Sequence, residues 1–326
     1  MLKRLNPYYQ GPVSDHFDGE RFFVPGHVLD KSRKDLMKVA RGARAKWPRR
    51  IPSPFHTKPD KRHDNLRSTL IGHASFLVQA ANLNLLIDPV FAKRASPFGF
   101  VGPSRANPPG ISFHDLPPID AVLITHSHYD HMDKAALRAL ATRHKPLFIC
   151  PLGVDVLLHR QRVPVREVRA LDWWQSTELA PLTIHAIPTY HWSARGIRDR
   201  RQTLWCSFAI ETPSGLLYHI GDTGYGAGHF SKELRARLGE PELAHIPIGA
   251  YEPRWFMRDV HVNPEEAVQI FQDCGAKRAI GHHWGTFQLT QEAHDQPEKD
   301  LALALAASGI APSHFQAFRP GQVLEL

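Results

Sequence analysis

"THSHYDHMD", residues 125–133, places three histidines and two aspartates within nine positions, directly after the apolar run "IDAVLI" at 119–124. The apolar run has the length and texture of a buried strand, and "DKAALRALATRH" at 133–144 has helical texture with Asp133 as a cap. The histidine-rich stretch is therefore a loop between a strand end and a helix, where a rigid scaffold usually carries its function. Neutral imidazole and carboxylate are good ligands for zinc and similar divalent ions. In extended chain His126 and His128 point the same way and can grip one ion together. Asp130 and His131 lie beyond the turn and can reach a second ion. The loop offers too few donors by itself, so partners must come from elsewhere.

Other strand ends supply them. "AIPTYHW" at 186–192 ends in His191, "LLYHIGDTG" at 216–224 presents Asp222, and "AIGHHWG" at 279–285 presents His282 and His283. Each is a polar residue closing an apolar run. Further strands are expected at "STLIGHASFLVQ" (68–79), "NLNLLIDP" (82–89), "REVRALDWW" (166–174), "LWCSFAIET" (204–212) and, as one last strand, "FQAFRPGQVLEL" (315–326). Helices are expected at "HFSKELRARLG" (229–239), "NPEEAVQIFQDCG" (263–275) and "KDLALALAASG" (299–309). Strand-rich segments followed by mixed strands and helices in both halves suggest two packed sheets flanked by helices.

The 326 residues suffice for one large core. No run reaches eighteen consecutive apolar residues, and the first twenty lack an apolar stretch of signal-peptide length, so the sequence reads as a cytoplasmic protein. Cys150, Cys206 and Cys274 are odd in number and widely spaced. They suit a reducing compartment and small core positions. The net charge is +8, and residues 31–50, with nine Lys or Arg against one Asp, carry all of it. Residues 1–62 read as a basic extension and 63–326 as the main domain. Leu29, Leu36, Ala40, Ala43 and Trp47 follow helical spacing through 31–50, with Pro48 ending the pattern. A basic amphipathic helix suits an anionic surface such as phospholipid headgroups. Nucleic acid is disfavoured, because the remainder is neutral and the basic stretch lacks interleaved aromatics.

The His-x-His-x-Asp-His motif at 126–131 resembles the signature of the metallo-β-lactamase superfamily. That resemblance implies an αββα sandwich of two mixed sheets with a two-metal site at their edge. It implies one metal held by His126, His128 and His191, the other by Asp130, His131 and His283, and Asp222 bridging the two. His283 is preferred to His282 because the family reads His-Trp-Gly-Thr where this chain has "HWGT" at 283–286. "GHASFLVQ", "LIDPVFAKRASPFGFVGPSR", "GDTGY" and "IPIGAYEPRWFMRDVHVNPEEAV" narrow the likeness to N-acylphosphatidylethanolamine-hydrolysing phospholipase D and its bacterial relatives, over about residues 66–295.

The resemblance implies hydrolysis of a phospholipid phosphodiester to phosphatidic acid and an N-acylethanolamine. Two zinc ions are the expected cofactor, with iron or manganese accepting the same donors. Two such ions lower the pKa of a shared water and stabilise charge on phosphoryl oxygens. Asp222 would set the metal separation and Asp130 orient the nucleophile. His261 is the candidate for protonating the leaving group or binding phosphate. Tyr129, Trp192, Arg254 and Trp255 are candidate substrate contacts, with Phe256 and Met257 as further apolar wall. His73 and Asp88 are expected to orient ligands. Peripheral contact with the inner face of an anionic membrane is expected, and a homodimer is left open. The competing chemistry on the same site is hydrolysis of a lactone, amide, thioester or another phosphodiester, nucleic acid included.

Overall fold

The computed structural model describes residues 5–27 and 31–326. Its strands form two sheets of seven. In chain order the first sheet takes β1 (Arg67–Gly72), β2 (Ser75–Ala80), β3 (Leu83–Ile87), β4 (Ala121–Leu123), β5 (Leu147–Pro151) and β6 (Glu167–Leu171). The second takes β7 (Ser176–Leu179), β8 (Leu182–Ile187), β9 (Ser207–Thr212), β10 (Gly215–His219), β11 (Leu243–Pro247), β12 (Arg278–His282) and β13 (Phe315–Ala317). The last strand, β14 (Val323–Glu325), returns to the first sheet beside β1, so the strand orders are β14-β1-β2-β3-β4-β5-β6 and β13-β12-β11-β10-β9-β8-β7. Both sheets are mixed: β1–β3 and β7–β10 pair antiparallel, while β3–β6 and β10–β13 pair parallel.

Period-two alternation explains the layers. Along β2, Phe76, Val78 and Ala80 enter a core shared with Ile184, Phe208, Ile210 and Leu217 of the other sheet, whereas Leu77 points outward. The outer face of the first sheet is covered by α2 (Lys134–Arg143) and α3 (Val154–Arg160). The outer face of the second is covered by α4 (His229–Leu238), α6 (Pro264–Cys274) and α7 (Gln296–Ala307). This is an αββα sandwich.

Three sequence expectations need correction. The run 68–79 is not one strand: the chain turns at His73 and Ala74, and β1 and β2 pair antiparallel. The helix expected over 31–50 is shorter: α1 spans Arg33–Arg41, begun by a Ser32–Asp35 capping box and ended at Gly42, whose N–H returns to the Val39 carbonyl. Trp47 is not on it, because its indole Nε1 donates to the Glu292 carbonyl at 2.9 Å and ties the following loop to the body. Leu29 and the side chain of Ala40 lie outside what the structure describes. The single last strand is two, because Pro320 and Gly321 turn the chain from one sheet to the other. A short helix not foreseen, α5 (Arg254–Met257), carries Trp255 beside α1.

The segment before α1 packs on the body. Phe17, Phe22 and Val24 are buried with Leu204 and Trp205, and His16 bonds Asp172 at 2.8 Å.

Candidate metal centre

The parallel strands of both sheets deliver their C-terminal ends to one edge of the sandwich, and the chain bends sharply there. His73, Asp88, Ala250 and His283 all adopt left-handed backbone conformations, which non-glycine residues rarely do. Gly249 is required by close approach, since a Cβ there would lie 2.2 Å from the His283 carbonyl oxygen.

At this edge the donor atoms of His126, His128, His191 and Asp222 lie within 4.8 Å of one another, as do those of His73, Asp130, His131 and His283. Asp222 joins the groups. Its Oδ2 lies 3.5 Å from His191 Nε2, 3.8 Å from His126 Nε2 and 3.3 Å from His131 Nε2, and its Oδ1 lies 3.0 Å from His283 Nε2. Asp130 Oδ2 lies 3.3 Å from His283 Nε2 and 3.5 Å from His131 Nε2. All are buried except His128, which is partly so.

Outer contacts fix the rings. Asp88, fully buried, accepts from His131 Nδ1 at 2.7 Å, from the Thr125 backbone at 2.7 Å and from the Thr125 hydroxyl at 2.5 Å. His131 therefore carries its proton on Nδ1 and turns Nε2 to the centre. His191 Nδ1 donates to the Val260 carbonyl at 3.0 Å, which likewise frees Nε2. His73 Nε2 bonds Asp130 Oδ2 at 2.9 Å and holds that carboxylate in place. His282 faces away, donating Nε2 to the Ile220 carbonyl at 2.9 Å among the buried rings of His219 and His245.

The charge state shows what the cluster fits. Burial opposes charge on every group. It pushes His126 and His191 well below the usual imidazole range, and His128 and His261 down to about 4. On His131 and His283 burial is outweighed by Asp222 and Asp130, which push His131 well up and His283 up to about 9. Histidines in turn hold Asp130 and Asp222 far below the usual carboxylate range against burial. Two buried anions thus draw positive charge into the cluster. His128 Nε2, His131 Nε2, His283 Nε2 and Asp222 Oδ1 are buried with no hydrogen-bond partner. Converging imidazole nitrogens and carboxylate oxygens, short of partners and demanding cations, fit divalent metal ions.

The remaining candidates divide. His261 faces the cluster, Nε2 4.0 Å from Asp222 Oδ2, with Nδ1 buried and unpartnered. Trp192 packs edge-on to the His128 ring at 4.6 Å. Tyr129 turns outward, its hydroxyl donating to the Arg195 carbonyl at 2.9 Å. Trp255 is 41% exposed, beneath the Lys38 ammonium, and Phe256 and Met257 are half-buried beside it. Arg254 is occupied within the protein: it pairs with Glu266 at 2.7 Å and donates to the His261 carbonyl at 2.8 Å, so it steadies the His261 loop. Sequence reasoning missed Arg195. Its Nη1 donates to the carbonyls of Ser127 (3.1 Å) and Met132 (2.7 Å), and its guanidinium stacks 3.7 Å above Tyr129, bracing the whole loop 126–132. An arginine four residues past His191 carries no spacing signal that would have revealed it.

Residues 83–284 match the model of the beta-lactamase superfamily domain, and the chain belongs to that family. It is a metallo-hydrolase of the beta-lactamase fold. Among relatives, it is 35% identical over 281 residues to N-acyl-phosphatidylethanolamine-hydrolyzing phospholipase D 1 of Caenorhabditis elegans, covering 83% of this chain and 77% of that one. It is 31% identical to the mitochondrial N-acyl-phosphatidylethanolamine-hydrolyzing phospholipase D of Saccharomyces cerevisiae, over 74% of this chain but about half (52%) of that protein's length. Igni18, a metallo hydrolase of Ignicoccus hospitalis, shares the fold with a TM-score of 0.58 at 21% identity, over 80% of this chain and 98% of its own.

Proposed function

We propose that the protein is a two-metal phosphodiesterase that cleaves N-acylphosphatidylethanolamine-class phospholipids to phosphatidic acid and an N-acylethanolamine. The chemistry would be carried by the two donor clusters, which Asp222 links through its approach to His131 and His283. The substrate class is supported by the 35% identity to the worm phospholipase. His126, His128 and His191 would hold one ion, Asp130, His131 and His283 the other, and Asp222 both; zinc suits this donor set, and iron or manganese accepts it too. When bound, two such ions supply Lewis acidity toward a phosphoryl group and lower the pKa of water.

The protein residues orient and exclude. Asp88 and the Val260 carbonyl hold His131 and His191 with Nε2 inward. Asp130, steadied by His73, offers an acceptor toward the nucleophilic water. Asp222 sets the spacing of the two halves. His261 is neutral near pH 7, because burial pushes it down to about 4, so one ring N–H is available to a phosphoryl or leaving-group oxygen. Trp192 and Trp255, with Phe256 and Met257, would offer apolar surface to acyl chains, whereas Tyr129 is turned to the Arg195 carbonyl, away from the centre. Lys34, Lys38 and Arg41 on α1, next to the exposed Leu36 and Met37, would rest on the anionic inner face of a membrane, while Lys31 is held by Asp259 at 2.8 Å.

The test is product analysis by mass spectrometry, with metal-loaded protein and vesicles containing N-acylphosphatidylethanolamine. Phosphatidic acid and N-acylethanolamine are the expected products. Intact lipid from protein shown to hold two metals would overturn the substrate and leave lactones, amides, thioesters and other phosphodiesters to be assayed on the same site. Metal analysis of the same sample identifies the ions.

A further inference from the structure

Beside the metal loop lies an open cavity of about 420 Å³ whose walls carry Arg94, Lys134, Arg138 and Arg195. None of these four makes an ion pair among the described residues; Arg143 and Arg160 are likewise bonded only to carbonyls, so what sets the four apart is their convergence on one cavity. The one acid in the cavity wall, Asp133, is spent on backbone. Its Oδ1 accepts from Ala135 and Ala136, and its Oδ2 from Phe91 and Ala92. The side-chain hydrogen bonds of the three arginines go to backbone carbonyls, Arg94 to Gly102, Arg138 to Arg162 and Arg195 to the metal loop, none of which neutralises charge. Arg195 Nε is buried without a partner. Four cations against one lining carboxylate leave the cavity with a surplus of positive charge, which suits an anion.

We propose that this cavity binds a phosphate-class anion, separate from the group cleaved at the metal centre, and that the bound anion stiffens the metal loop through Arg195. Arg195 joins the two: its Nη1 grips the Ser127 and Met132 carbonyls, and with Tyr129, on which its guanidinium stacks, it lines the cavity. An anion there adds an attractive partner to a group that braces residues 126–132. The walls favour a phosphate carried on a lipid over a free one. The chain that brings Arg94 continues to Phe98, Phe100 and Val101, and the chain that brings Arg195 continues to Ile197; Phe100 is 82% and Ile197 98% exposed. Apolar loop tips next to a cationic cavity suit an anionic headgroup presented at a bilayer surface. The inference stands on the cavity and not on the phospholipase reading.

The experiment compares metal-loaded wild type with Lys134→Ala/Arg138→Ala, which removes two cavity charges outside the metal ligands. Lys232→Ala/Lys299→Ala serves as a control of equal charge loss elsewhere. Binding of inorganic phosphate and of dihexanoyl phosphatidic acid is measured by calorimetry, with metal content checked in each sample. The cavity variant should bind the lipid phosphate roughly fivefold to tenfold more weakly with its metals intact, while the control binds as wild type. Equal weakening toward inorganic phosphate would assign the site to the free anion; weakening toward the lipid alone would assign it to the headgroup. The probe should also slow hydrogen exchange across 126–132 more in wild type than in the cavity variant, a difference that binding of the proposed product at the metal centre alone does not produce. Unchanged affinity of the cavity variant for both probes, or exchange unaffected by a bound probe, would overturn the proposal. Failure to hydrolyse phospholipid with charge-dependent binding intact would count against the proposed substrate and leave the cavity site standing.

Discussion

Asp88→Asn isolates the contribution of one buried carboxylate to the centre. Asp88 accepts three hydrogen bonds, one on Oδ1 from the Thr125 backbone and two on Oδ2 from the Thr125 hydroxyl and His131 Nδ1. Asparagine has nearly the same volume but one acceptor oxygen and one donor group. If its oxygen faces Thr125 N–H, its amide faces His131. The imidazole must then move its proton to Nε2, the atom aimed at Asp222 and Asp130, or leave a donor facing a donor. If the amide flips, the Thr125 N–H is the orphan instead. Either way one buried donor loses its partner, at a cost of about 1–3 kcal/mol. Loss of the carboxylate behind a ligating histidine typically costs about 10–100-fold in metal affinity. The expected variant is folded, unfolds a few degrees lower, and loses affinity selectively at the half holding Asp130, His131 and His283. The half holding His126, His128 and His191 meets Asp88 only through the Thr125 hydroxyl, 3.0 Å from His126 Nδ1, and should lose less affinity. Stepwise competition with a chelator, read by metal analysis, separates the two classes of site. Two unchanged affinities, or equal loss from both, would refute the argument that Asp88 acts through the His131 tautomer.

Asp222→Asn keeps the size of the group common to both halves and removes its charge. The expected outcome is loss of metal from both, together with loss of hydrolytic activity; full activity with normal metal content would refute its shared role. His16 gives a pH dependence away from the centre. Burial pushes its pKa down, but Asp172 and Asp15 outweigh this and leave it above the usual imidazole value. A group raised on folding contributes stability that is fully present below about pH 6.5 and lost as pH rises through the folded value. Hydrogen exchange over 14–24, corrected for intrinsic rates, should therefore quicken relative to the core as pH is raised from 6 to 8. His16→Gln should abolish that difference; a pH-independent wild type would disprove it.

What was legible in the sequence, and what was not, divides along the range of the interactions. The metal loop could be read because its spacing is local: two histidines two apart in extended chain, then a turn, then two more donors. The distant donors could be found because each closes an apolar strand, and parallel strands bring their C-terminal ends to one edge of a sheet. Even Gly42 and Pro320-Gly321 are local signals: the first ended a helix that apolar spacing extended to Trp47, and the second split an apparent single strand between two sheets. Spacing alone misjudged α1 because its continuation is decided elsewhere, by the Glu292 carbonyl that takes the Trp47 N–H and the Gln291 carbonyl that takes the Ala45 N–H. Arg195 and the charge balance of the cavity were out of reach for the same reason. Nothing near residue 195 indicates that its guanidinium reaches back some seventy positions to three carbonyls of the metal loop, at Ser127, His128 and Met132. Likewise nothing in "HMDKAALR" shows that Asp133, an ordinary helix cap by sequence, also collects the N–H groups of Phe91 and Ala92. The candidate donors are written in residue type and local spacing, whereas their bracing and the surplus of positive charge beside them arise only when the two sheets close. Changes in activity among relatives that keep these donors should therefore trace to residues such as Arg195, Asp133 and Asp88 sooner than to the donors themselves.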